Sequence, residues 1–436
     1  MNTQLIKNKL SILLFFFPLT YLIGIAVVES FFLLFLIYLL FSFNKEVQNL
    51  FYKKIILILF LFSLYIILNA ALQIPSSLKY SSIFYFRYLL FSISVCIFFE
   101  NLMHSGFNKN LFLKFFILII LILLFDSFFQ FFIGENIFGK KLTSYRVSSF
   151  FGDDLILGSY LIRLLPIIIW YLFYLKIDVN LNKHYLYIFF SIYFIIIYLS
   201  GERTAFALLV IFIILSLIFV PLIRKVLIGS TIVLVIFILS ASLFGIGKTD
   251  ITHRMFEKTY KQIFTERIKN EDKKISENKN YKKDGNFINI VKTLKVFSTD
   301  HQGHLIVAKN LFIDNYVFGV GPKGFRHFCR TINYAPKEGI CSTHPHNVLA
   351  QFLSELGLVG FIFYIIFCIF FTWTFFTVYK KNKNNFDLNS YLIISIGLLI
   401  HLFPFLPNGN FFNNWISSFI YFKIGLLLYS YKKIFT

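Results

Sequence analysis

Residues 55–68 read IILILFLFSLYIIL, with Lys53 and Lys54 ahead of them and further apolar positions out to Leu72. Wound as a helix, this run is apolar on every face; extended as a strand, it offers no alternating polar side. A soluble amphipathic helix and a membrane-barrel strand each need such a side. What remains is a helix in hydrocarbon, where a crossing takes about 20 apolar residues and every backbone N–H and C=O bonds within the segment. Comparable runs recur along the 436 residues. They lie near Leu10 to Val27, Ser30 to Phe43, Ile55 to Leu72, Ser82 to Phe99, Leu111 to Ile133 and Leu155 to Leu175. Six more lie near Tyr185 to Leu199, Thr204 to Ile223, Val226 to Gly245, Leu358 to Tyr379, Leu388 to Phe405 and Trp415 to Tyr431. The reading is an all-α, polytopic helical membrane protein of about twelve transmembrane helices. Composition agrees: 58% of residues are hydrophobic, 14% are charged and mean hydropathy is +0.74, more apolar than a soluble domain can hide.

The first two runs are separated by one charge, Glu29, and are read as a tight hairpin with Glu29 at the far surface. Lys7 and Lys9 precede an apolar stretch too long for a signal peptide, so the first segment is expected to stay as a helix. The net charge of +21 might point to nucleic acid, but the basic residues do not form one domain. They fall in short loops on one side of the membrane, from Lys45 and Lys53 through Arg224 and Lys225 to Lys432 and Lys433, which marks that side as cytoplasmic. Both termini are expected there. The chain then divides into residues 1–245, an N-terminal membrane bundle of about nine spans, residues 246–356, a large loop on the opposite face, and residues 357–436, with about three spans. Within the loop, the part through KNEDKKISENKNYKKDG (269–285) is Lys-rich, poor in large apolar residues and expected to be mobile. The part HLIVAKNLFIDNYVFGVGPKGF (304–325) regains helical periodicity and ends in a Gly-rich turn.

The most informative polar segment is THPHNVLAQFLSELGLVG (343–360). His344 and His346 flank Pro345, Asn347 stands at an N-cap position, and Val348, Leu349, Phe352, Leu353 and Leu356 mark an apolar face suited to the membrane surface. A helix N-terminus disfavours an imidazolium, so a neutral imidazole is held where it can act as a base. The plainer alternative is that the pair only satisfies loop hydrogen bonds. His301 and His304 are the nearby candidates for a metal site, and without Cys or Glu partners at fixed spacing no metal is expected.

A second segment, LSGERTAF (199–206), places Arg203 in a short turn between two apolar spans. An Arg there either snorkels to the interface or grips an anion, phosphate above all, in bidentate fashion. Arg146 in SYRVSSFFGDD, Arg163 in the following span, and Lys323 and Arg326 after GVGPKGF fall on the same face, and several cations on one leaflet imply an anionic head group. The GVG turn lacks the spacing and Lys-Ser/Thr of a nucleotide loop and reads as a tight turn. Cys329 and Cys341 are placed to bridge in an oxidising compartment, with two free thiols as the alternative. Asp126, Gln130 and His401 read equally as contacts between helices or as parts of a substrate path.

In order and content these residues resemble the integral-membrane O-antigen ligases and O-antigen polymerases of Gram-negative envelopes. The resemblance rests on Ser200 and Arg203, the large loop, the GVG turn, His346 and Asn347 followed by Gly357 and Gly360, and the upstream RVSSFFGDDLILGSYL with Arg146. It implies a metal-independent glycosyltransferase of the bacterial inner membrane, active at the periplasmic face without a cofactor. The donor would be a polyprenyl-diphosphate-linked glycan, and the acceptor a lipid A core or a growing glycan. It further implies His346 as general base, His344 as its support and Arg203 as the principal diphosphate clamp, with Arg146, Arg326, Lys323 and Asn347 around the substrate. One-step displacement would invert the anomeric centre. Ligase and polymerase stay open, and a polysaccharide flippase or other secondary transporter is the alternative from another class.

Overall fold

The computed structural model describes residues 13–42, 54–73, 82–104, 108–143, 146–179, 182–244, 250–260, 299–330, 341–381 and 385–435. The first run of helices is Ile25–Phe41 (α1), Lys54–Gln73 (α2), Arg87–His104 (α3), Lys109–Ile133 (α4), Leu157–Tyr174 (α5), Lys183–Leu199 (α6), Arg203–Phe219 (α7) and Arg224–Phe244 (α8). After the long loop come Thr299–Asp314 (α9), Val348–Tyr379 (α10), Phe386–Leu402 (α11) and Asn414–Phe435 (α12). Among the described residues, six helices are long and apolar enough to cross a membrane, and α1, α6, α7 and α11 are apolar but shorter. Extended backbone among them amounts to isolated bridges, Glu135 with Lys141 and Thr143 with Arg146. The protein is an all-α polytopic membrane protein.

α5 and α12 form the centre and are buried along most of their length. α12 runs against α3 and α11, α11 lies on α5, α1 packs on α3, and α8 packs on α6. Outward positions such as Ile232, Ile236 and Leu239 on α8 stay apolar and exposed, as expected where the surrounding solvent is lipid.

The N-terminal hairpin differs from the reading above. Phe17–Leu22 is a 3-10 segment inside the bundle, Gly24 breaks the chain at φ 140°, and Glu29 lies within α1 instead of at a hairpin tip. The residues ahead of Leu13, where the first span was placed to begin, lie outside the described part. Pro18 and Gly24 are the physical cause, since neither favours a continuous helix. Carbonyls in and just ahead of the 3-10 segment are taken by α5, whose Tyr160 and Tyr171 hydroxyls donate to Pro18 O and Phe15 O, each at 2.9 Å. Phe17 is enclosed by the rings of Phe31, Phe35, Phe91 and Phe422.

Two parts of the long loop position the site. Residues 250–260 are helical, with a π-helical middle at His253–Glu257, and bury Ile251 and Met255; the Lys-rich stretch 269–285 lies outside the described residues. Further on, α10 breaks at Gly357, with φ 65° and ψ −161°. The break exposes backbone groups that residues 316–321 recover: Val320 N donates to Ser354 O at 3.0 Å, Gly321 N to Glu355 O at 2.8 Å, and Leu358 N to Tyr316 O at 2.8 Å. The half of α10 before the break lies inside the protein and not on the membrane surface, with Phe352 stacked on Phe62.

Candidate functional site

The cationic side of the site is built around the end of α6. The last carbonyls of a helix lack intrahelical partners and carry the negative end of its dipole, so they attract cations. Here Arg146 Nε donates to Ser200 O at 3.1 Å and Arg254 Nε to Gly201 O at 3.1 Å. Gly201 adopts φ 65°, and a Cβ there would meet the Arg146 side chain at 2.9 Å, so the turn admits the guanidinium only because this residue is glycine. Glu202 bonds away from Arg203, accepting from Gly158 N at 2.8 Å and Ser159 Oγ at 2.6 Å, with Arg146 Nη2 at 4.0 Å. Arg203 then opens α7 and donates from Nη1 to Thr259 Oγ1 at 3.3 Å. A cation at a helix N-terminus opposes the helix dipole, an arrangement that favours an added anion.

The loop that delivers Arg146 is fixed by α4. Gln130 Oε1 accepts from Ser148 N at 2.9 Å and Ser149 N at 2.7 Å, while Asp126 accepts from Ile137 N at 2.8 Å and from the Ser149 hydroxyl. Asp126 and Gln130 therefore shape the loop, and in the structure they lie off the cavity walls.

The opposite side carries the histidines. Asn347 caps α10 through Oδ1, which accepts from Ala350 N at 3.0 Å, and its Nδ2 donates to Pro404 O at 2.6 Å. The cap fixes His346, which sits at φ 56°, with its Nε2 2.9 Å from Ser342 Oγ. The His344 and His346 rings lie 4.0 Å apart, and His301 and His304 approach His346 at 5.2 and 5.1 Å. Burial, then neighbouring histidines, drive His346 down to about 3. Burial also lowers His344 to about 4, opposed by its bond to Asn408 O at 3.1 Å and assisted by His304 and Arg326. Both imidazoles are neutral at pH 7.

Asn408, in the loop between α11 and α12, joins the two sides. Its N–H donates to His346 O at 2.7 Å, its Oδ1 accepts from Arg163 Nη2 at 2.8 Å, and its Nδ2 donates to His401 O at 2.5 Å. His401 in turn meets buried Lys423 of α12 at 2.9 Å, so it is a contact between helices.

Between the two sides lies one cavity of about 460 Å³. Arg146, Arg163, Arg203 and Arg254 line one part; His301, His344 and His346 line another; Asn408, Asn410 and Trp415 close the end. Glu202 is the one acid among the lining residues, and its oxygens are already engaged. Burial dominates in lowering the Arg146 pKa; Glu202 opposes it, and Arg254 and Arg203 add to it. Among the described residues no group of three or more His, Cys, Asp or Glu is disposed to hold a metal ion.

The structure thus gathers His344, His346, Arg146 and Arg203 around one space. It leaves Lys323, Arg326 and Asn347 off that cavity's walls. Cys329 and Cys341 are joined in a disulfide with Cα atoms 5.6 Å apart, which ties the turn after α9 to the start of the histidine segment. Sequence reasoning missed Arg254, one basic residue in a basic loop, and gave His301 no role beyond metal. It also missed the loop PNGNFFNNW (407–415), whose signal was a cluster of amides between two apolar spans.

Fold and cavity define the class: an integral-membrane protein with a cationic, histidine-lined site at helix ends. Residues 188–365 match the family model described as O-antigen ligase. This stretch runs from α6 into α10, holds both the Arg203 turn and the His344–Asn347 segment, and is similar to the O-antigen ligase family that the sequence resembles. No curated protein matches the chain.

Proposed function

We propose that this glycan-transferring membrane enzyme moves a glycan from a polyprenyl-diphosphate donor to a sugar hydroxyl, at the periplasmic face of the bacterial inner membrane. The observation that carries the reading is the shared cavity: a neutral His346 faces a set of four arginines across a space of about 460 Å³. Transfer breaks the bond between the anomeric carbon and the diphosphate oxygen, whose electrons leave with the diphosphate. The acceptor hydroxyl supplies the new bond and must lose a proton. His346 takes that proton at Nε2, where Ser342 Oγ now sits at 2.9 Å. Arg203, with Arg146 and Arg254, stabilises the charge that develops on the departing diphosphate. Because Glu202, the one carboxylate among the described lining residues, is bonded to Gly158 and Ser159, the displacement runs in one step and inverts the anomeric centre.

The test is transfer by the purified full chain with undecaprenyl-diphosphate-linked glycan, comparing wild type with His346→Ala and Arg203→Ala. Loss of transfer in both, with inverted product configuration by NMR, supports the reading. Retained configuration refutes the one-step mechanism. Normal lipid-linked precursor trapped on the inner leaflet of cells lacking the protein would show transport instead of transfer.

A further inference from the structure

The cations left off the cavity walls form a set of their own. Arg87 opens α3, and Lys323 and Arg326 flank Gly324 in the turn after α9. The turn is fastened beside the start of α3, since Ser82 Oγ donates to Pro322 O at 3.4 Å, and to α2, whose Asn69 Nδ2 donates to Phe318 O at 2.6 Å. Lys323 sits at φ 67°, in the left-handed region that favours glycine. After burial, Arg326 and Arg87 push the Lys323 ammonium pKa down while Glu355 and Glu29 push it up, so these groups share one field.

Both carboxylates nearby are already committed. Glu29 Oε1 takes Arg87 at 3.0 Å and Asn414 Nδ2 at 2.8 Å; Glu355 takes Gln351 Nε2 at 2.9 Å and Phe325 N at 3.2 Å. Among the described residues, the Nε of Arg87 and the Nε of Arg326 are buried without a hydrogen-bond acceptor, an expensive state unless something fills it. Gln351, which also bonds Asn410 Oδ1 at 2.7 Å, stands between this set and the cavity. Beside Arg87 in the chain, Phe84 and Phe86 are exposed apolar side chains.

We propose that Arg87, Lys323 and Arg326 bind the phosphate of a second lipid-borne substrate, the acceptor, while the Arg203 cavity takes the donor. Cations beside exposed aromatics suit a phosphate that arrives on a lipid, and Arg326 acts on His344, which lines the Arg203 cavity. The assignment rests on the transfer reaction above, and it makes the acceptor an anionic lipid-linked glycan.

The experiment counts bound undecaprenyl diphosphate by native mass spectrometry on the full chain in phosphatidylcholine nanodiscs. Two probe molecules are expected on the wild type, one on Arg203→Gln and one on Lys323→Gln/Arg326→Gln. Arg326→Lys, which keeps the charge and removes the orphaned Nε, should weaken the second site roughly tenfold without endangering the fold. A single probe that Arg203→Gln removes and Lys323→Gln/Arg326→Gln keeps overturns the second site. Displacement of the second probe by an equal amount of phosphatidylglycerol overturns the acceptor assignment, because the site would then serve any acidic phospholipid. If Arg203→Gln keeps both probes while Lys323→Gln/Arg326→Gln loses one, the donor clamp fails and the second site stands.

Discussion

Gly357→Ala tests whether the break in α10 is a structural requirement. At φ 65° an alanine adopts the left-handed region at a cost of about 1–2 kcal/mol. Its Cβ would also lie 2.4 Å from Val317 O and 2.6 Å from Gly319 N, which are backbone atoms that cannot rotate aside. Gly319 faces back in the same way, its own Cβ position lying 2.5 Å from Glu355 C. Overpacking of this kind adds roughly 1–3 kcal/mol or more, so a total on the order of 4 kcal/mol is expected. Gly134→Ala is the matched control: it has φ 96°, nothing lies within 4 Å of its Cβ position, and it should lose only the conformational part. Thermal unfolding of both variants in the same detergent reads the difference. Equal destabilisation of the two would refute the close backbone crossing, and with it the account of how the histidine segment is held.

The remaining predictions concern the cavity. With His346 lowered to about 3 and His344 to about 4, the acid limb of kcat/KM should fall well below the ordinary histidine value of 6.5; a limb at or above 6.5 counts against a neutral base. Linkage gives the same groups a stability signature. The unfolded chain takes up protons below its ordinary value while the native histidines do not, so stability is full above about 6.5 and falls as pH drops toward 3 to 4, as acid titration of the melting temperature would show. Arg203→Lys keeps the charge but loses the fork, and kcat should drop by about 10²-fold; unchanged kcat would remove Arg203 from the leaving-group side. Asn408→Ala breaks the join between Arg163 and the histidine loop, and should lower kcat and shift the acid limb upward as His344 becomes hydrated, whereas a purely structural role would leave the pH profile in place.

Much of the fold was legible because a bilayer imposes a simple demand: an apolar run such as Ile55 to Leu68 has one structural outcome. The N-terminal hairpin was not legible, since Pro18 and Gly24 act by breaking a helix that composition alone would continue. At the site, His346 with Asn347 and Arg203 carry local signals, a cap and a cation between spans. Lys323 and Arg326 were grouped with Arg203 from charge alone, whereas the structure leaves them off that cavity's walls, because charge pattern reports depth in the membrane and not position around the bundle. Asn408 was invisible for a different reason. Its own carbonyl meets the His344 ring, and it donates to the carbonyls of His346 and His401; bonds through backbone groups leave no mark on residue type.

The Ser200–Gly201 turn draws Arg146 from before α5 and Arg254 from beyond α8 onto two adjacent carbonyls. A nascent chain that has emerged only through α7 therefore holds Arg146, Arg163 and Arg203 but not Arg254, the fourth guanidinium of the cavity. The full positive charge of the pocket is completed only when α7 and α8 are both in place and residues 250–260 fold back onto the end of α6.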